Sequence, residues 1–160
     1  MDFERKKKKR YSKDEALEAM QRYCVYQDRC HQEVRYKLIE HQVYGDDLEE
    51  VISALIKDNF LNEERFARAY ASGKFKIKSW GRNKIKMELK RREISDYCIR
   101  KAMTEIDEED YYSALQSLLR KRWDGESQDY PTRVKLNQYA QSRGFEYGIV
   151  KEVVDELFRG

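Results

Sequence analysis

The stretch VRYKLIEHQVYGDDLEEVISAL, residues 34–55, decides the fold because the chain repeats it twice. Its apolar positions are Val34, Leu38, Val43, Leu48, Val51, Ile52 and Leu55. Fifty-one residues further on stand Ile85, Leu89, Ile94, Ile99, Ala102, Met103 and Ile106. The same step again reaches Leu136, Ala140, Phe145, Val150, Val153, Val154 and Leu157. Only 40% of the residues are hydrophobic, so agreement at all seven positions in both copies marks a true internal repeat.

The spacing inside the unit is helical. Val34 and Leu38 are four residues apart, as are Ile85 and Leu89, and Leu136 and Ala140. Leu48, Val51, Ile52 and Leu55 follow the i, i+3, i+4, i+7 stripe of an amphipathic helix. Between the two helices lie short turns, where Gly45-Asp46-Asp47 and Ser95-Asp96 read as helix stops followed by caps. A further helix precedes each pair. Ser12-Lys13-Asp14-Glu15 fits a capping box ahead of Ala16, Ala19, Met20 and Tyr23. Asn62 caps a helix carrying Phe66, Ala67, Tyr70 and Ala71. Tyr111, Leu115, Leu118, Leu119 and Trp123 form the third, and Asp129-Tyr130-Pro131 opens the last pair, with proline where its missing N–H costs nothing.

The expected fold is therefore all-α: nine helices in three tandem three-helix repeats, forming an elongated, curved array. The expected boundaries are a disordered basic tail (1–11), repeat 1 (12–60), a basic repeat 2 (61–107) and repeat 3 (108–160). One proline and seven glycines among 160 residues speak against a β-sandwich. The alternating run KFKIK (74–78) looks like a strand, but five residues between helices would find no ladder partner. It reads as the frayed end of one helix and the loop into the next.

Composition narrows the function. No apolar run approaches a membrane span, so no membrane partner is expected. The start MDFERKKKKRY lacks the apolar stretch of a secretory signal, and three cysteines, Cys24, Cys30 and Cys98, read as reduced thiols of a cytoplasmic protein. Cys24, Cys30-His31 and His41 lack the paired spacing of a structural zinc site, so no metal is expected. Nucleophile elbows, phosphate loops and zinc-protease motifs are absent. The acidic groups at helix starts are explained by capping, so the expectation is no catalytic residue and no cofactor.

The charge is segregated. From Arg65 to Arg92 there are eleven Lys or Arg and one acid, Glu88, although the whole chain is only +3. Residues 12–64 sum to −7 and residues 93–160 to −4. Like charges one turn apart repel, so this excess points to an anionic partner. The candidate contacts are Arg65, Arg68, Lys74, Lys76, Lys78, Trp80, Arg82, Lys84, Lys86, Lys90, Arg91 and Arg92. Arg82, Lys86 and Lys90 form one row at one-turn spacing. Trp80, beside Gly81 and flanked by Lys78 and Arg82, is either a core residue or a ring that stacks on a base. Lys6, Lys7, Lys8, Lys9 and Arg10 are candidate tail contacts.

The middle unit, FLNEERFARAY followed by KSWGRNKIKMELKRREI (60–94), resembles the RecX family of bacterial recombinase regulators. It shares the family's acidic cap, R-F-A, basic stretch with glycine, and I-x-x-x-L with a closing apolar residue. The flanking copies fit as well, and the resemblance spans about residues 13–158. Many relatives carry glycine where this chain has Glu93. The resemblance implies a non-catalytic modulator that binds the RecA recombinase filament, and the chain is expected to be monomeric. It would curb strand exchange, ATP hydrolysis and the coprotease activity of the SOS response. Single- or double-stranded DNA is a second candidate contact. The alternative is a freestanding nucleic-acid-binding module acting through the basic middle repeat.

Overall fold

A computed structural model describes residues 8–160, and among them there are nine α-helices and no strand. The helices are α1 (Lys13–Tyr26), α2 (His31–Glu40), α3 (Gly45–Lys57), α4 (Glu63–Lys78), α5 (Arg82–Arg91), α6 (Asp96–Met103), α7 (Glu108–Arg122), α8 (Tyr130–Ser142) and α9 (Tyr147–Arg159). The all-α repeat architecture expected from the sequence is thus present. The chain divides into two compact units, one running through Phe66 and the other starting at Ala67, with the boundary inside α4. Helices α5 to α9 all lie in the second unit, so most of the middle repeat shares one body with the last repeat.

The repeat is visible in backbone geometry as well as in burial. Helices α2, α5 and α8 each end on a residue with positive φ: Gln42 (61°), Glu93 (60°) and Gly144 (98°). These three positions are again fifty-one residues apart. The next N–H then reaches back to the carbonyl five residues earlier, Val43 to Leu38 at 2.9 Å, Ile94 to Leu89 at 3.1 Å, and Phe145 to Ala140 at 3.1 Å. This is the Schellman stop, and its apolar pair is buried in every copy. Glycine serves best at such a position because it carries no Cβ. Only the third copy uses one.

In the first unit α1 and α2 pack on α3 around Met20, Leu38, Val51 and Leu55. The capping box at Ser12 forms as expected, with Glu15 N–H donating to Ser12 Oγ and Ser12 N–H to Glu15 Oε1, each at 3.2 Å. Asn62, Ser95 and Asp129 cap their helices through side-chain oxygens. At α3 the expected Asp cap is not used. Tyr44 holds the N-cap position without a side-chain hydrogen bond, and Gly45 takes φ 56°.

Two segments differ from expectation. The run 74–78 is the last turn of α4, with Phe75 buried and Ile77 79% exposed. Its alternation has no structural counterpart, because one helical turn carries Phe75 to the core and Ile77 to solvent. Residues 8–11, expected in a disordered tail, are tied to the first unit. Tyr11 N–H donates to the His41 carbonyl at 3.1 Å and the two rings stack at 3.9 Å. Lys8 pairs with Glu40 at 2.6 Å and Lys9 with Glu15 at 3.0 Å. The Lys8 ammonium holds the Glu40 carboxyl below the usual range. Aromatic stacking and paired lysines hold a segment that charge density alone marked as solvated. Lys6 and Lys7 lie outside the described residues.

In the second unit α7 and α8 pack against α9, and α5 against α6. Gly81 and Gly144 let two backbones cross at close range. A Cβ on Gly81 would sit 2.3 Å from the Gly144 carbonyl carbon. Gly81 N–H donates to Arg143 O at 2.7 Å and Asn83 N–H to Gly144 O at 2.9 Å. The start of α5 is therefore bolted to the end of α8, which holds the basic helix in place.

Candidate partner-binding surface

The basic segment divides by residue type once it is folded. Its arginines find acids or carbonyls. Arg65 donates to Asp28 at 2.7 Å and to the carbonyls of Asn59 and Phe60, both at 3.1 Å. Arg68 pairs with Glu105 at 2.8 Å. Arg91 and Arg92 share Glu88, and the Arg92 guanidinium lies 4.9 Å from the Tyr70 ring centre. The local excess is thus partly cancelled by acids from distant sequence, which a count along the chain cannot see.

Arg82 is the most committed of them. It pairs with Glu108 at 2.5 Å and Glu146 at 3.0 Å, and its guanidinium sits 4.0 Å over the Tyr111 ring. Its own backbone N–H donates to Tyr111 Oη at 3.0 Å, while that hydroxyl donates to Glu146. Burial, and then the Glu146 hydrogen bond, push the Tyr111 hydroxyl well above its ordinary pKa, so it stays a donor. The Arg82 side chain is only 14% exposed. The expected row of Arg82, Lys86 and Lys90 therefore loses its first member to an internal network that ties α5 to α7 and the start of α9.

The lysines behave differently. Lys74 and Lys84 place their ammonium groups 4.9 and 4.5 Å from the Trp80 ring centre, and Tyr70 meets that ring edge-on at 6.5 Å. Trp80 is half-buried under cations, which leaves it poorly placed to stack on a base. Lys76, Lys78, Lys86 and Lys90 are exposed and form no ion pair among the described residues. On α5, Ile85 and Leu89 face the core, so Asn83, Lys86, Met87 and Lys90 form the opposite, solvent face.

Met87, 45% exposed, is neither a cation nor an aromatic ring and so leaves no mark in the charge and aromatic pattern of the sequence. Nor do the Gly81–Gly144 crossing and Tyr111–Glu146, whose partners lie 63 and 35 residues apart. Cys24 and Cys30 are buried, and His41 is occupied by the Lys9 carbonyl at 2.8 Å. Among the described residues no three His, Cys, Asp or Glu side chains gather where a metal ion would fit, and no helix is long and apolar enough to cross a membrane. What the surface offers is charge and shape.

Two family models match the chain: "RecX, second three-helix domain" over residues 62–103 and "RecX, third three-helix domain" over residues 108–154. The regulatory protein RecX of Clostridium perfringens (strain 13 / Type A) is 32% identical over 129 residues, covering 78% of this chain and 60% of that protein. Its counterpart from Lactococcus lactis subsp. cremoris (strain SK11) is 30% identical over 144 residues, covering 84% and 52%. The chain thus spans between half and three-fifths of the length of these relatives. Among solved structures, the crystal structure of RecX from Lactobacillus salivarius has a TM-score of 0.82 at 24% identity, covering 92% of this chain and 97% of that one. That likeness shows the shared fold.

Proposed function

The chain belongs to the RecX family, and from that premise we infer that it is a non-catalytic regulator of the RecA recombinase. It binds RecA or RecA–DNA filaments in the cytoplasm as a monomer and inhibits recombinase, ATPase and SOS coprotease activities. It needs no cofactor. The observation that carries this reading is the set of exposed lysines on α4 and α5 that the fold leaves unbalanced beside arginines it neutralises. A protein gains nothing internally from holding Lys86 and Lys90 one turn apart without an acid, since such pairs repel by a few tenths of a kcal/mol. An anionic partner removes that cost.

Co-sedimentation with RecA filaments on single-stranded DNA, run beside the DNA alone, tests the reading. The expected result is binding to the filament well above binding to bare DNA, together with slowed RecA ATP hydrolysis. Equal retention on bare DNA, falling steeply with salt and without effect on RecA, would instead identify a freestanding nucleic-acid-binding module.

A further inference from the structure

We propose that the solvent face of α5, with Arg100 of α6 beside it, is a docking surface for an acidic protein segment that carries an apolar side chain. The proposal rests on the RecX reading and specifies which chemistry of the filament this face meets.

The repeat supplies an internal comparison. In the first repeat Arg35 of α2 grips Glu49 of α3 through two hydrogen bonds, at 2.6 and 3.1 Å, and pulls that carboxyl below its ordinary range. The corresponding residues of the second repeat are Lys86 of α5 and Arg100 of α6. The fold is the same, but the acid that would neutralise the pair has become a second cation. Both residues are exposed and neither forms an ion pair among the described residues. One turn further along α5, Lys90 stands where the first repeat has Ile39. The second repeat thus carries three cations in place of one satisfied pair and an apolar residue.

The occupant is argued from what surrounds these cations. Met87 lies beside the two lysines, exposed, in a shallow depression shared with Asn83, Lys86, Lys90 and Arg91, the last of which is held by Glu88. A flexible thioether suits an adaptable protein contact, and backbone phosphates give it nothing apolar to bury against. Of the bidentate guanidinium forks, which favour phosphate, those of Arg68, Arg82 and Arg92 are already engaged, and among the three cations of this face only Arg100 carries one. Trp80, the ring beside the start of α5, lies under Lys74 and Lys84. The ammonium groups of Lys86 and Lys90 beside an apolar Met87, with the Arg100 guanidinium on the neighbouring helix, match a carboxylate-bearing helix or loop with one buried side chain, which is the arrangement of an interface anchor with a charged rim.

Three variants test this: Met87→Ala, Arg100→Glu and Lys90→Gln, each measured for affinity to a bacterial RecA filament and to single-stranded DNA alone. Arg100→Glu rebuilds the ion pair of the first repeat and masks Lys86, so it should keep or raise the melting temperature while weakening filament binding about tenfold. Met87→Ala should weaken filament binding by a similar factor and leave DNA affinity within about twofold. Lys90→Gln should slow association and flatten the salt dependence. Circular dichroism confirms that each variant folds. A silent Met87→Ala, with Arg100→Glu and Lys90→Gln reducing DNA and filament binding alike, overturns the proposal in favour of a phosphate surface. Wild-type binding that none of the three alters overturns this surface and leaves the RecX reading standing. A wild-type protein that does not bind the filament overturns the RecX reading itself.

Discussion

Replacing Glu93 by glycine and Gly144 by alanine should move stability in opposite directions, although both residues occupy the same position in their repeats. Glu93 holds φ at 60° on an exposed turn, a conformation that costs an L-residue about 1–2 kcal/mol. Glycine removes that cost and returns about 0.5–1 kcal/mol through its greater freedom when unfolded. The net gain is about 0.5–1 kcal/mol. At Gly144 a new Cβ would lie 2.4 Å from Lys84 Cβ and 2.6 Å from the Lys84 backbone nitrogen, with φ at 98°. Neither neighbour is the end of a flexible chain, so α5 itself would have to move. Overpacking of this kind costs about 1–3 kcal/mol, to which the left-handed backbone adds its share. A loss of about 2–3 kcal/mol is expected. Thermal unfolding followed at 222 nm should place Glu93→Gly about 1–4 °C above the wild type and Gly144→Ala about 4–12 °C below it. A Glu93→Gly protein that melts lower, or a Gly144→Ala protein unchanged within about 1 °C, would refute the view that the backbone repeats at this position and that the third copy alone is locked by close approach.

Two further substitutions separate core from surface in the basic segment. Phe75→Ala should cost about 3–4 kcal/mol in urea unfolding, because the side chain is buried against Tyr111, whereas Ile77→Ala, 79% exposed, should change stability by less than about 0.5 kcal/mol. Comparable losses at both sites would mean that the run packs two residues apart, as a strand does. Arg82→Met should cost about 2 kcal/mol by stranding Glu146 beside Tyr111, while Lys86→Gln at an exposed site should be neutral within about 0.5 kcal/mol. If the urea midpoints of the last two variants coincide, the division between structural and exposed cations fails.

Most of the fold was legible because burial leaves a periodic trace. Leu38, Leu89 and Ala140 are apolar at one phase of the repeat and are buried at one place in the helix pair. Caps were legible for the same local reason, since Ser12, Asn62, Ser95 and Asp129 act within three residues of themselves. Interactions that close over long sequence distances left no such trace. Arg82 reads as the first cation of a surface row until Glu108 and Glu146 arrive from 26 and 64 residues away. Tyr11 reads as part of a solvated tail until His41 is placed under it. Gly81 and Gly144 look like ordinary turn glycines, and only the crossing of α5 with the end of α8 shows what they permit.

The repeat nevertheless held information on charge that a count along the chain does not use. A +10 segment cannot be sorted into structural and free cations by its density, because the balancing acids come from elsewhere. Comparison between copies can sort it. Where the first repeat places Arg35 opposite Glu49, one copy is a self-contained ion pair and needs nothing from outside. Where the second repeat keeps the cation and converts the acid to Arg100, the same pair of helices carries an electrostatic debt that folding alone does not settle. The third repeat, with Asn137 and Lys151 at these positions, has neither the pair nor the excess. Three versions of one scaffold thus separate what the helices require from what the middle copy adds. The addition is concentrated at Lys86, Lys90 and Arg100, with Met87 exposed beside the two lysines, so the search for the partner contact belongs on α5 and α6.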